Sequence, residues 1–546
     1  MDKNLILAIA LSMAVYFGWY KMMERYYPQP AKPAASAAAA PAKTDGLRPP
    51  ASGELRGEPT PPKETSLGPA APMDAPRAGG LDGSLAFRVD DLEMRFQPLG
   101  ASIVSYRYPG PLGAVELVDT PYPGFFATWP ELRFRQIDEA GNWPTFEAAH
   151  PSGILIRKEF LLREAGNLNT LRLTFKNPGS QEAMLPPWNL DVGPGIGTVP
   201  SERKENPTLW SAAALLPAPV GKKVDVFKDL KASQEPGRST DAWRWLGVHN
   251  RYFLAAMFPP TERFEGYAHG GKAVTLDVPS WTGGTKKEEV LQPWISASAK
   301  PLTLPAGGSV TVEIPFYFGP KGYIRLSEIG HGLERSVSFG WFHRVGRFTI
   351  QVLHKFHGWT GNWGWAIIML TICLQVILFP VTYKQMKSMA IMKKIQPEIV
   401  KIQQKYQKDP KRLQVEMMEV YKKHGANPLS GCLPILVQMP IFIALFNMLR
   451  GAWELHGAPW IFWVQDLSAH DRFYILPIIM GAVMFFQSKM NPVQSADPMQ
   501  AKMMTYMPVI FTVMFLNFPA GLVLYWLTNS VLSLIQQTAV RKHLEK

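Results

Sequence analysis

The stretch Trp359-Thr-Gly-Asn-Trp-Gly-Trp-Ala-Ile-Ile-Met-Leu-Thr-Ile-Cys-Leu-Gln-Val-Ile-Leu-Phe-Pro-Val381 runs 23 residues without an Asp, Glu, Lys, Arg or His. At ~1.5 Å per helical residue it reaches roughly 34 Å, enough to cross a hydrocarbon core of about 30 Å. Further apolar runs follow at Leu429 to Leu449, at Phe473 to Phe486 and from Met503 to Ile535. The last is too long for one helix, and Asn517-Phe-Pro-Ala-Gly521 at its centre supplies the turn chemistry that splits it into a hairpin of two spans. None of these five spans carries an Asp, Glu, Lys, Arg or His in its interior. Ion pumps and proton-coupled carriers keep titratable groups in their pathway, so that class is disfavoured.

The charge lies between the spans. Lys384 to Pro428 holds eleven Lys/Arg against four acids and belongs in the cytoplasm by positive-inside counting. Alternation then places Gln487 to Lys502 and Arg541-Lys542 on the same side, and Arg450 to Arg472 outside. Leu5 to Tyr20 is a sixth apolar run, flanked by Lys3, Lys21 and Arg25. The ring of Tyr16, Trp19, Tyr20, Tyr26 and Tyr27, with no small-residue cleavage site after it, makes residues 1–27 an uncleaved anchor. Six spans put both termini in the cytoplasm. The formal net charge of +13 suits an anionic lipid leaflet. No recognition motif accompanies it, so no specific nucleic-acid site is expected.

Residues 28–80 contain 12 Pro and 13 Ala with few large apolar groups, the composition of a disordered tether. From 81 to 325 short alternating runs such as Leu85-Ala-Phe-Arg-Val89, Leu171-Arg-Leu-Thr-Phe175 and Val310-Thr-Val-Glu-Ile-Pro-Phe-Tyr-Phe318 are separated by turn residues, which predicts a large antiparallel β-sandwich outside the cytoplasm. His150, His249 and His269 show no ligand spacing, and Cys373 and Cys432 read as packing residues, so no metal, cofactor or catalytic residue is expected. Residues 336–357 space Trp341, Phe342, Val345, Phe348, Val352 and Phe356 at three and four, as an amphipathic helix lying in the membrane interface or packed on the soluble domain. Within 384–428, Met386, Met389, Ile391, Ile395, Ile399 and Ile402 form one apolar stripe, and Leu413, Met417, Val420 and Tyr421 a second. Lys408-Asp-Pro410 between them predicts an antiparallel helical hairpin that closes on itself.

Asn427-Pro-Leu-Ser-Gly-Cys-Leu-Pro434, Gln438-Met-Pro-Ile-Phe442, Asp497-Pro-Met-Gln500, Met507-Pro508, Phe518-Pro-Ala-Gly-Leu522 and Gln536-Gln537 resemble, in order, the signature segments of the YidC-type (YidC/Oxa/Alb) membrane protein insertases. The anchor, tether and large exported domain resemble the Gram-negative form, in which that domain is a β-supersandwich similar to mutarotase folds. The resemblance implies an α-helical polytopic protein of six spans with a five-helix insertase core at 358–546, acting as insertase and chaperone in the bacterial inner membrane. Its partners would be nascent membrane proteins, the ribosome, the Sec translocon and membrane lipids, with no cofactor. A polar groove open to the cytoplasm and to lipid would admit a client's hydrophilic flank.

By that resemblance the substrate groove is expected to involve Thr371, Gln375, Gln438, Tyr525, Trp526 and Asn529. Thr371 and Gln375 share one helix face four residues apart. The chain departs from the family pattern in two places. Gln375 stands where relatives usually carry a groove arginine, and Trp526 where they often carry a second tyrosine. A neutral amide holds water and hydrogen-bonds a passing peptide, but it lacks the fixed charge that attracts an acidic flank. For Gln375 the alternative is an interhelical hydrogen bond, and for Gln438, Asn517 and Asn529 helix-packing contacts compete with groove roles. A polar-solute or glycan transporter fed by the β-domain is the rival class. Against it stand the uncharged spans and the lack of an inverted repeat.

Overall fold

The computed structural model describes residues 84–120, 123–137, 143–163, 166–203, 205–222, 224–279, 285–406, 409–425, 433–490 and 498–545. The expected anchor (1–27) and tether (28–80) lie outside the described residues, as do Cys432 and most of the 427–434 motif.

From Leu85 to Pro320 the described chain is antiparallel β-structure with a short helical excursion at 200–209. A nine-stranded sheet runs in the order Val226–Leu230, Ser211–Leu216, Trp245–His249, Phe253–Met257, Ser309–Pro320, Leu168–Lys176, Leu155–Leu161, Thr145–Ala149 and Arg135–Gln136. One four-stranded sheet is a meander over Leu85–Glu116, and another orders Asn189–Val192, Thr285–Ala299, Phe264–Pro279 and Gly237–Ser239. Both pack on the same face of the large sheet. Phe96 of the meander lies 5.4 Å from Phe146 and 4.8 Å from Phe160, ring centre to ring centre. Ile295 and Ala297 of the other sheet join one core with Leu246 and Val248. The alternation legible at Leu171, Leu173 and Phe175 is the pattern of side chains pointing into that core.

The opposite face of the central strands is covered as well, which alternation does not announce. Ala213, Leu215, Trp245, Leu254, Ala256 and Tyr317 share a second core with Leu326, Leu333, Ile350, Leu353, Ile367 and Leu445 from the helical part. Trp245–His249 and Phe253–Met257 are therefore buried at every position. Sheet and helices here share one hydrophobic interior.

Eight helices follow among the described residues: α1 Tyr323–Ile329, α2 His343–Thr360, α3 Trp363–Lys405, α4 Pro410–Lys423, α5 Leu433–Gly451, α6 Ile475–Met490, α7 Pro498–Phe515 and α8 Ala520–Glu545. Helix α2 starts later than the 336–357 expected, because Gly340 turns the chain at φ +67° against Asn447 before helical geometry begins. Its buried face is Gly346, Thr349, Ile350 and Leu353, packed on α3 and α5, while Val345 and Phe348 of the expected stripe point outward. Helix α2 thus presents an apolar edge on each side.

Helix α3 is capped by Asn362, whose Oδ1 accepts from Gly364 N (2.9 Å) and Trp365 N (3.2 Å). It then runs 43 residues through Pro380 and Pro397. The span and the first arm of the basic hairpin, expected as separate segments, are one helix, since Thr382 to Gln385 offers no Gly or Asn to end it. Asp409 caps α4 through Arg412 N (3.2 Å). Ile395, Ile399 and Val420 then form a small core with Ile391, Met392, Ile402, Met417 and Tyr421. Helices α7 and α8 are separated at the 517–521 break, and Ala520 N and Gly521 N donate to Ala469 O (2.7 Å) and Leu467 O (2.8 Å). Among the described residues Trp363–Met392 is long and apolar enough to cross a membrane, and Ile475–Lys489 and Tyr506–Phe515 are shorter apolar helices.

Candidate functional site

The amides and hydroxyls singled out on the apolar helices fall into two bridges that meet on α8. On α3, Gln375 is 6% exposed, and its Nε2 donates to Asn529 Oδ1 (2.6 Å) and to Ser533 Oγ (3.2 Å) of α8. On α5, Gln438 Nε2 donates to the Tyr525 hydroxyl (3.0 Å), also of α8. Tyr525, Asn529 and Ser533 recur at intervals of four, so they stand above one another on a single face of α8. That face is a polar seam against α3 on one side and α5 on the other. It has no charged member.

Not every expected residue joins it. Thr371 is fully buried, and its hydroxyl donates to Ile367 O (2.7 Å) one turn back on its own helix. Trp526 turns its indole into an aromatic cluster, edge-on to Phe442 at 4.8 Å and within 5.3 Å and 6.1 Å of Phe515 and Phe511. Ser533 was missed in the sequence, although its spacing from Tyr525 and Asn529 would have put it on their face. Gln385 was missed too, since it reads as part of the basic loop. It is 5% exposed, and its Nε2 has no hydrogen-bond partner among the described residues; the same holds for Gln536 Oε1 on α8.

A second constellation lies where the sheet domain meets the helices. Arg251 bridges Glu202 and Glu205 (2.7 Å to Glu205), and Arg450 at the end of α5 reaches the same Glu205 oxygen at 2.6 Å. Trp453, just beyond α5, sits 5.0 Å from Phe253. Beside them His249 Nε2 pairs with Asp229 (2.8 Å), and Lys321 Nζ lies 3.1 Å from His249 Nδ1 and donates to Asn250 O (2.8 Å). Burial brings the Lys321 ammonium down to about 8 although Asp229 pulls it upward, and burial with Lys321 alongside lowers His249. His249 is thus one member of a network that ties the strands Val226–Leu230 and Trp245–His249 to Lys321 at the end of the sheet domain. Among the described residues no group of His, Cys, Asp and Glu is arranged to hold a metal ion.

Two family models match this chain: one described as 60Kd inner membrane protein over residues 355–546, and one described as YidC periplasmic domain over residues 137–352. The membrane protein insertase YidC of Endomicrobium trichonymphae is 39% identical over 439 residues, 78% of this chain and 79% of that protein. Its counterpart in Geobacter metallireducens is 32% identical over 570 residues, 99% of this chain and 98% of that protein. Among solved structures, an active YidC insertase with its first transmembrane domain resolved is similar over 84% of this chain and 92% of that chain, with a TM-score of 0.39 and 19% identity.

Proposed function

The chain belongs to the YidC family of membrane protein insertases, and from that premise we propose that the polar seam between α3, α5 and α8 is the path by which a client's hydrophilic flank enters the bilayer. It is an inner-membrane insertase with a periplasmic β-sheet domain, not an enzyme, and its substrates are nascent membrane proteins. The observation that carries the path is the Gln375–Asn529–Ser533 bridge, a set of neutral donors and acceptors between helices otherwise lined with apolar side chains.

The physics favours such a seam. A polar group entering hydrocarbon without a partner costs on the order of 2–7 kcal/mol. Interhelical amide bonds are worth only about 1 kcal/mol each, so a peptide amide can replace them at small cost. In this reading Gln375, Gln438, Tyr525 and Asn529 exchange their mutual bonds for bonds to the client. Thr371 and Trp526 shape the walls, one self-satisfied and one apolar. The client's hydrophobic segment leaves sideways into lipid along α5 and α7.

The proposed topology has six spans with both termini in the cytoplasm. The α3–α4 hairpin and the 487–502 segment face the ribosome, and the protein acts alone or beside the Sec translocon. The outward Val345 and Phe348 of α2 support a position for that helix in the membrane interface. Helices α6 and α7 have 16 and 18 residues, roughly 24 and 27 Å at ~1.5 Å each. Against about 30 Å of hydrocarbon they are expected to thin the bilayer. Spin labels along both helices would report this as a shortened oxygen-accessible zone; a zone of ordinary width would refute it.

The path is tested by a photo-crosslinker at position 375, challenged with stalled nascent chains of a small two-span membrane protein. Crosslinks to the client's polar flank support it. Silence at 375, with crosslinks from lipid-facing positions on α5 and α7, would leave guidance of apolar segments without a capturing seam.

A further inference from the structure

Beyond the Gln375 bridge the same face of α3 continues inward. Thr371, Gln375, Leu378, Thr382 and Gln385 are spaced four, three, four and three, which keeps them in one narrow stripe along the helix. Gln385 ends that stripe. It is as deeply buried as Gln375, yet its amide nitrogen finds no acceptor among the described residues, where Gln375 finds two. A buried N–H pair left open is costly and calls for an occupant that supplies oxygen. A peptide main chain supplies one carbonyl per residue.

We infer that this insertase grips its client's flank through main-chain and neutral polar groups, with Gln385 as the innermost handhold, and does not select flanks by the sign of their charge. The inference rests on the seam being the client's path. Every seam member can serve either sign: amide nitrogens and hydroxyls donate to a carboxylate, and amide oxygens and hydroxyls accept from an ammonium. A fixed cation in the same low-dielectric place would favour one sign strongly. The cations nearest in sequence are Lys384 and Lys387, where α3 leaves its apolar stretch, and Arg541 and Lys542 near the C-terminal end of α8; all four are exposed, so salt screens them. Charge preference therefore belongs to the mouth and is erased by salt, while the interior reads polarity alone.

The test uses the full-length chain in proteoliposomes without a membrane potential, because a potential would itself sort flanks by charge. Three versions of a two-span client carry a translocated flank of Asn and Ser, the same flank with two Asp, or the same flank with two Lys. Protease protection measures insertion in about 0.5 M salt, where the Debye length is roughly 4 Å. The acidic and basic flanks are expected to insert within about twofold of each other, both below the neutral one, since each must shed hydration. An acidic preference of about fivefold or more that survives this salt would overturn the inference.

Gln385→Leu is expected to lower insertion of all three clients about threefold, as one lost hydrogen bond would. Gln385→Glu, which keeps the size and adds a charge, is expected to turn the balance toward the basic flank. A flank balance unmoved by Gln385→Glu removes Gln385 from the path. A crosslinker at position 375 is read in parallel. Crosslinks to all three flanks alongside a salt-resistant acidic preference mean the seam is the path and only charge-blindness fails. Crosslinks to none mean the path itself is wrong, and the inference falls with it.

Discussion

The helical seam and the sheet domain both bury polar groups, yet they bury different ones. Between α3, α5 and α8 the buried polar groups are amides and hydroxyls: Gln375, Gln438, Tyr525, Asn529 and Ser533. In the sheet domain Lys158 is 0% exposed, and its ammonium donates to Gly100 O (3.0 Å), Phe126 O (2.6 Å) and Thr128 Oγ1 (3.2 Å). Lys321 and Arg251 are buried or nearly so with comparable company. Depth does not explain the contrast. An ammonium needs three oxygens, and the chain at Gly100 and at 126–128, outside the strands Ser102–Gly110 and Gly113–Glu116, supplies carbonyl lone pairs that no strand ladder uses. In a helix nearly every carbonyl is already bonded to the N–H four residues on, so a buried charge finds only side chains to solvate it. In this molecule the helical seam therefore buries its polar matter as neutral groups, while the sheet domain holds charge inside.

The contrast can be tested by removing a charge from one region and a neutral amide from the other. The largest effect is expected from Arg251→Ala, which leaves the carboxylates of Glu202 and Glu205 beside each other with Arg450 as the remaining ion-pair partner among the described residues. Breaking a buried pair costs about 3–5 kcal/mol. Thermal unfolding of the full chain in detergent should register it, and a loss below about 1 kcal/mol would mean that the cluster is effectively solvated.

Next comes the pH dependence of Lys321. Its pKa in the folded protein, about 8, lies below the ordinary lysine value of 10.5, so the unfolded chain holds the proton more tightly. Stability should then rise with pH between about 8 and 10.5, by up to about 3 kcal/mol, with the burial penalty fully present below pH 8. Lys321→Met should flatten that rise. A rise unchanged in the variant would assign it to other groups.

Gln375→Leu is expected to cost only about 1 kcal/mol in unfolding, the usual worth of interhelical hydrogen bonds in membranes. It should nevertheless lower client insertion about tenfold, since the seam would lose its central partner. Proportionate losses in both measurements would instead make Gln375 packing glue. The smallest effect belongs to Tyr525→Phe, which strips Gln438 Nε2 of its acceptor for about 1 kcal/mol or less.

Much of this was legible along the chain. Strand alternation at Leu171, Leu173 and Phe175, the break at Asn517 to Gly521 and the turn signal at Lys408-Asp-Pro410 are local signals, written within a few residues of where they act. Gln375 was picked out by the resemblance, as the residue standing where relatives usually carry a groove arginine. Less was legible about what it meets. The expected stripe on α2 named Val345 and Phe348 as one face with Val352 and Phe356, but the helix packs through Gly346 and Ile350, because small residues let α2 come close to Phe339. Gln385 was hidden by the lysines beside it, and Ser533 by its ordinariness.

The sequence by itself determined which segments are apolar, where the chain turns, which side chains share a face, and that the apolar runs carry no Asp, Glu, Lys, Arg or His in their interiors. Periodicity and composition act through neighbours a few residues apart, so they survive without a partner in view. Only the tertiary structure decided that the central strands of the large sheet are covered on both faces, that Arg450 reaches Glu205 across the junction, and that Gln375 meets Asn529 and Ser533 while Gln385 Nε2 has no acceptor among the described residues. Those facts depend on how one helix or sheet is rotated against another, and that rotation is set by packing summed over many distant residues.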